Sequence, residues 1–95
     1  MNIVIKPSSR KDKKFEALID GKKTIHFGQA GASDFTQHKN EARKKLYENR
    51  HRKNEQWNNP LTAGFWSKHI LWNKKTLSES IKDTNNKYDV NIKMR

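Results

Sequence analysis

The 95-residue sequence contains no cysteine, which excludes a disulfide framework and any thiolate-ligated metal site. It has no apolar run near the roughly 18 residues that a membrane-spanning helix needs. The opening Met1-Asn2-Ile3-Val4-Ile5-Lys6 is too short an apolar stretch to act as a secretion signal. These absences predict a soluble chain that is not secreted. Glycine and proline number only four and two. The small-residue loop Gly28-Gln29-Ala30-Gly31 lacks the following Gly-Lys-Ser/Thr of a phosphate loop, and it fits a tight strand-to-helix turn instead. Acidic residues are scarce as well, 10 Asp+Glu against 21 Lys+Arg.

Hydrophobic residues make up only 32% of the chain and charged residues 33%, a balance that leans toward disorder. The aromatics oppose that reading. Nine of them, from Phe15 to Tyr88, are spread along the chain. Fully burying one such side chain stabilises by roughly 1.5–3 kcal/mol, so a few can stand in for many smaller residues. The expectation is one small, marginally stable domain over residues 1–95.

The order of elements follows from turn and cap signals. Asn2 to Lys6 is a short β-branched run ended by Pro7-Ser8-Ser9, and Arg10-Lys11-Asp12-Lys13-Lys14 reads as a basic loop. Phe15–Ile19 and Lys23–Phe27 flank Asp20-Gly21, the dipeptide that best supplies the two positive φ angles of a hairpin turn. Alternation then sets Thr24 and His26 on one face and Ile25 and Phe27 on the other. One helix is expected to begin near Asp34 or Asn40, either of which can cap it, the first of about three. Strong helix formers without Gly or Pro run from Glu41 to Trp57, with a thin apolar stripe at Ala42 and Leu46 and with Arg43, Tyr47, Arg50 and Asn54 beside it. Asn58-Asn59-Pro60 breaks that helix. Thr62 opens a short one carrying Phe65, Trp66, Ile70, Leu71 and Trp72, the expected centre of the core. Thr76-Leu77-Ser78-Glu79 has the capping-box pattern, with Leu77 and Ile81 as an apolar edge. The fold class expected is α+β: a β meander over 1–28, a helical part over 34–83, and a strand or frayed tail over 84–95.

The formal net charge is +11. Self-repulsion of that size opposes a compact state and points to a polyanionic partner. Nucleic acid comes first among such partners, DNA ahead of RNA, an anionic membrane surface second and an acidic protein third. The excess is shared almost evenly among residues 1–28, 37–57 and 68–95, so the fold has to assemble any binding face. The best candidate for tracking phosphates is the segment Arg43, Lys44, Lys45, Tyr47, Arg50, His51, Arg52 and Lys53, with Lys11, Lys13 and Lys14 a weaker second group. The bland alternative is a solvated helix supported by Glu41–Lys45 and Glu48–Arg52 pairs. Trp66 and Trp72 read as core. Trp57, which could stack on an unpaired base, reads as core too, because few other large residues are present.

Nothing in the sequence points to catalysis or to a cofactor. The histidines His26, His38, His51 and His69 form no close HxxxH-type pair, and no cysteine completes a zinc site. The grouping of His38, Asn40, Glu41, Asn49 and His51 matches no metal-dependent nuclease pattern.

One long motif string is distinctive. It comprises Thr24-Ile25-His26-Phe27-Gly28, Ser33-Asp34-Phe35-Thr36, His38-Lys39, Arg43-Lys44-Lys45, Tyr47, Arg50-His51, Glu55-Gln56-Trp57, Thr62-Ala63-Gly64-Phe65-Trp66-Ser67-Lys68, Leu71-Trp72-Asn73-Lys74, Thr76-Leu77 and Ser80-Ile81. Over roughly residues 6–83 it resembles a family of small basic proteins of unassigned function from large double-stranded DNA viruses of eukaryotes and large tailed phages. The resemblance implies a viral origin, a location in the virion or in the infected cell, and no catalytic residues. The expected function is non-enzymatic binding of nucleic acid through phosphates with little sequence preference. Two alternatives stand beside it: a minor capsid protein bridging acidic protein surfaces, and a module directed at an acidic host partner.

Overall fold

The computed structural model describes residues 1–95. Three N-terminal strands form a meander: β1 (Asn2–Pro7), β2 (Lys13–Ile19) and β3 (Lys23–Gln29). Asp20 and Gly21 have φ of 51° and 68°, the two positive angles the hairpin turn demands. Asp20 also accepts the Asn2 backbone N–H through Oδ1 at 2.7 Å, tying the turn to the start of β1. Lys13 and Lys14 were expected in a basic loop; they are the first two residues of β2.

Helix α1 (Phe35–His38) and helix α2 (Glu41–His51) are separate because Lys39 adopts a left-handed conformation, φ 55°, that closes the first. One helix was expected here; there are two, and both candidate caps are used. Asp34 forms a reciprocal capping box with Gln37, and the Asn40 carboxamide accepts from the N–H groups of Ala42 and Arg43. The helix expected to reach Trp57 stops at His51. Residues 52–60 instead make turns, held where the His69 Nε2–H donates to the Trp57 carbonyl at 2.7 Å. A tertiary bond here overrides local helix propensity.

Thr62 caps α3 (Ala63–Trp66), which continues through a wide π-helical turn, Ser67–Leu71, closed by the Trp72 N–H donating to the Ser67 carbonyl at 3.1 Å. Helix α4 (Leu77–Lys87) runs four residues past the expected end. Its Thr76 cap accepts from the Glu79 N–H, but Glu79 takes the Thr76 hydroxyl rather than the backbone N–H, so the box is half made. The final strand is β4 (Asn91–Met94), and it pairs parallel with β1. The sheet order is therefore β3-β2-β1-β4, with β1 central and β4 reached by a crossover through all the helices. The fold is α+β. None of its helices is long and apolar enough to cross a membrane.

One sheet face carries Ile3, Ile5, Ala17, Ile19, Ile25, Phe27 and Ile92, and Phe65, Trp66, Ile70 and Leu71 pack onto it. Phe65, Trp66 and Ile70 are wholly buried. The short α3 and its π turn thus form the centre of the core, and Trp66 donates its indole N–H to the Pro60 carbonyl at 2.8 Å. Trp72 is half-buried at the edge of that core. Helix α2 packs differently from expectation. Ala42 is exposed and Leu46 is 58% exposed, while Tyr47 is the buried residue of the helix. Neither Glu41–Lys45 nor Glu48–Arg52 is an ion pair; Glu48 turns inward to Lys68 at 3.1 Å.

Candidate functional site

An open cleft of about 670 Å³ lies between α2, the ends of β2 and β3, and the start of α3. Arg43, Tyr47, Arg50 and His51 line it from α2, and Lys13 and Lys14 from β2. Gly28 forms part of its floor with φ +78°; a Cβ there would meet Leu71 Cδ1 at 2.7 Å. Gly64 lets the Glu55 carboxylate approach the backbone of α3, since a Cβ would collide with it.

The cleft's α2 wall is a column of rings. Tyr47 stacks on Trp72 at 4.4 Å and 1°, and on His51 at 4.4 Å and 28°. His38 lies 5.3 Å from Trp72, its ring tilted by 55°. With two rings stacked on it and only 7% of its surface exposed, Tyr47 leaves no face open to an inserted base. Burial drives the Tyr47 hydroxyl far above its ordinary pKa, with Glu55's charge adding to the effect. Burial also lowers the pKa of His38, and Arg43 contributes by repulsion. His38 Nδ1 accepts the Asn40 N–H at 3.0 Å, while its Nε2 is buried without a partner.

The charges of the cleft are unequal in availability. Lys14 is spoken for: its ammonium lies 2.6 Å from Asp34 and 2.7 Å from the Gln37 side-chain oxygen. His51 lies 3.3 Å from Glu55. Lys13, Arg43 and Arg50 have no carboxylate within 4.0 Å. Across the whole chain only Lys6, Arg10, Lys14, Lys68 and Lys87 are ion-paired, so 16 of the 21 Lys+Arg have no protein counter-charge.

The residues singled out from sequence therefore divide into three. Lys13, Arg43, Tyr47, Arg50 and His51 come together at the cleft, Lys14 with them but paired. Lys44 is turned inward, donating to the Asn73 carbonyl at 2.8 Å and standing 5.1 Å from the Phe35 ring centre. Lys11, Lys45, Arg52 and Lys53 are exposed and lie outside the cleft. Trp57 is half-buried, with its Nε1 buried and unpartnered and Lys68 5.4 Å from the ring centre. Sequence reasoning missed Trp72, Asp34 and Glu55 as cleft residues. Asp34 joins by pairing with Lys14 of β2 and Trp72 by stacking on Tyr47, contacts distant along the chain, whereas Glu55 meets His51 four residues earlier, a spacing the sequence does show. No three His, Asp or Glu side chains stand close enough to share a metal ion.

A family profile described as a family of unknown function, DUF5754, matches residues 3–51. The chain belongs to that family. The DUF5754 match takes in β1 through α2, and so includes Lys13, Arg43, Tyr47, Arg50 and His51 but ends before Trp72. No curated protein and no solved structure matches this DUF5754 member.

Proposed function

We propose that the protein is a non-enzymatic binder of nucleic acid that grips phosphates with little sequence preference. The observation that carries this reading is the pair Arg43 and Arg50. They stand two helical turns apart on one edge of α2, at the mouth of the cleft, without a carboxylate partner. Lys13 adds a third unpaired cation across the cleft. Phosphate contacts of this kind fix position without reading sequence. The ring column behind the two arginines is filled, which favours backbone contact over base stacking. The resemblance to proteins of large DNA viruses supports a viral origin, and with it a place in the virion or beside the genome in the infected cell.

The test is competition. Oligonucleotides should bind at low salt, and the joint variant Arg43→Ala/Arg50→Ala should weaken binding to all sequences alike. If neither duplex nor single strand binds in dilute buffer, the reading is wrong.

The cations on other faces favour a second reading. Lys22 and Lys23 at the hairpin and Lys74-Lys75 before α4 are exposed and unpaired. Charge on several sides suits a minor capsid component that bridges acidic protein surfaces. Nuclease digestion of disrupted particles separates the two, because only a genome-bound protein is released by it.

A further inference from the structure

Helix α2 has a second face that the cleft does not use. Ala42, Leu46 and Asn49, at three- and four-residue spacing, form a strip that is exposed along its length, with Leu46 58% exposed. On one side of the strip stand Arg43 and Arg50. On the other stand Lys45 and Arg52, with the same seven-residue spacing, and Arg52 keeps helical angles of φ −53° and ψ −40° beyond the last helical residue. At 3.6 residues per turn the two cationic edges lie roughly 160° apart about the axis, and the strip falls between them. Each edge spans about 10 Å along the helix. Glu41 is the one carboxylate at the border of this face, since Glu48 is drawn inward to Lys68.

Resting on the phosphate-binding reading above, we infer that α2 enters the major groove of duplex DNA with this face. A helix about 10–12 Å across with its side chains fits the roughly 12 Å groove of B-form DNA. The two cationic edges then meet the phosphates of the two groove walls, which accounts for cations on both sides of an otherwise uncharged strip. The strip meets the base edges with Ala42, Leu46 and Asn49, which fill the groove; Asn49 is the single side chain on it able to hydrogen-bond a base edge, so sequence preference stays slight. The same geometry disfavours duplex RNA, whose major groove is too deep and narrow for side chains to read. The occupant follows from charge complementarity, four cations around a strip with no acid on it.

Leu46→Glu tests this at a site where folding is not at stake, and circular dichroism verifies that the variant is folded. Affinity for duplex DNA should fall by about tenfold or more, because a carboxylate meets the acceptor-rich groove floor. The salt slope should stay unchanged, since no phosphate contact is lost. Lys45→Ala/Arg52→Ala should instead make the slope shallower by about 1.8. Dimethyl sulfate footprinting of the wild-type complex should protect guanine N7, which lies in the major groove, and leave adenine N3 in the minor groove reactive. Duplex binding that survives Leu46→Glu, or that leaves guanine N7 reactive, overturns the groove assignment while the phosphate-binding reading stands. Failure to bind any nucleic acid removes both.

Discussion

The Tyr47 and Trp72 rings lie 4.4 Å apart and within 1° of parallel, so the basic helix is fastened to the core by an aromatic contact near its middle. Lys44 to the Asn73 carbonyl and Glu48 to Lys68 flank it on the same side. Tyr47→Ala should therefore cost about 3 kcal/mol of stability, in the range of large aromatic truncations. Tyr47→Phe keeps the stack and should cost only about 1 kcal/mol. Urea denaturation of the two variants checks both figures.

Lys13 and Lys14 are neighbours in sequence with opposite expected phenotypes. Lys14 and Asp34 form an ion pair whose side chains are only 15% and 5% exposed, and Asp34 also caps α1. Lys14→Ala leaves a buried carboxylate uncompensated and should destabilise by about 3 kcal/mol. Lys13→Ala should change stability by no more than about 0.5 kcal/mol, yet it should weaken binding of a polyanion. Thermal unfolding paired with a binding titration separates the two lysines.

Stability should fall with acid in two stages. His38 and His69 have folded-state pKa values lowered mainly by burial. The unfolded chain therefore takes up protons first, and stability present above the ordinary histidine value of 6.5 is lost as pH falls below it. Glu16, lowered chiefly by the Ser9 N–H, and Asp83, lowered chiefly by the Asn73 side chain, behave alike at lower pH. Their contribution is complete above the ordinary values of 4.5 and 3.8 and is lost as pH drops through the lowered ones. Urea midpoints from pH 8 to pH 3 measure this, and His69→Gln should shrink the first stage.

Gly28 and Gly31 both have positive φ, 78° and 85°, but only Gly28 is crowded, with Leu71 Cδ1 and Lys14 Cβ waiting for a side chain. Gly28→Ala should cost about 2 kcal/mol or more, combining backbone strain with overpacking. Gly31→Ala meets nothing within 4 Å and should cost about 1 kcal/mol. Parallel denaturation curves give the comparison.

Local chemistry made much of this fold readable. Asp20-Gly21 announced the hairpin, Thr62 and Thr76 announced helix starts, Asp34 and Asn40 stood as alternative starts of what proved to be two helices, and alternation set Ile25 and Phe27 on one face, the face the core covers. What the sequence concealed depends on contacts distant along the chain. The end of α2 at His51 is fixed by His69 holding the Trp57 carbonyl. The burial of Tyr47 in place of Leu46 depends on Trp72 arriving at the end of a π turn. Alternation near the end of the chain left a strand and a frayed tail both open over 84–95; the strand is Asn91–Met94, and nothing local could name β1 as its parallel partner. The candidate site was legible as a charged segment. Which cations are free was not, because Asp34 and Asn73 capture Lys14 and Lys44 only once the chain has folded.

On the proposed function, the unpaired cations of α2 serve a phosphate-rich partner. The decisive measurement is fluorescence anisotropy with a labelled DNA duplex, titrated across a series of salt concentrations. Binding should weaken linearly on a log–log plot, by about 0.9 per phosphate neutralised, and the slope should become shallower by about 1.8 in Arg43→Ala/Arg50→Ala. Affinity that ignores salt, or a slope that the double variant leaves unchanged, would contradict it.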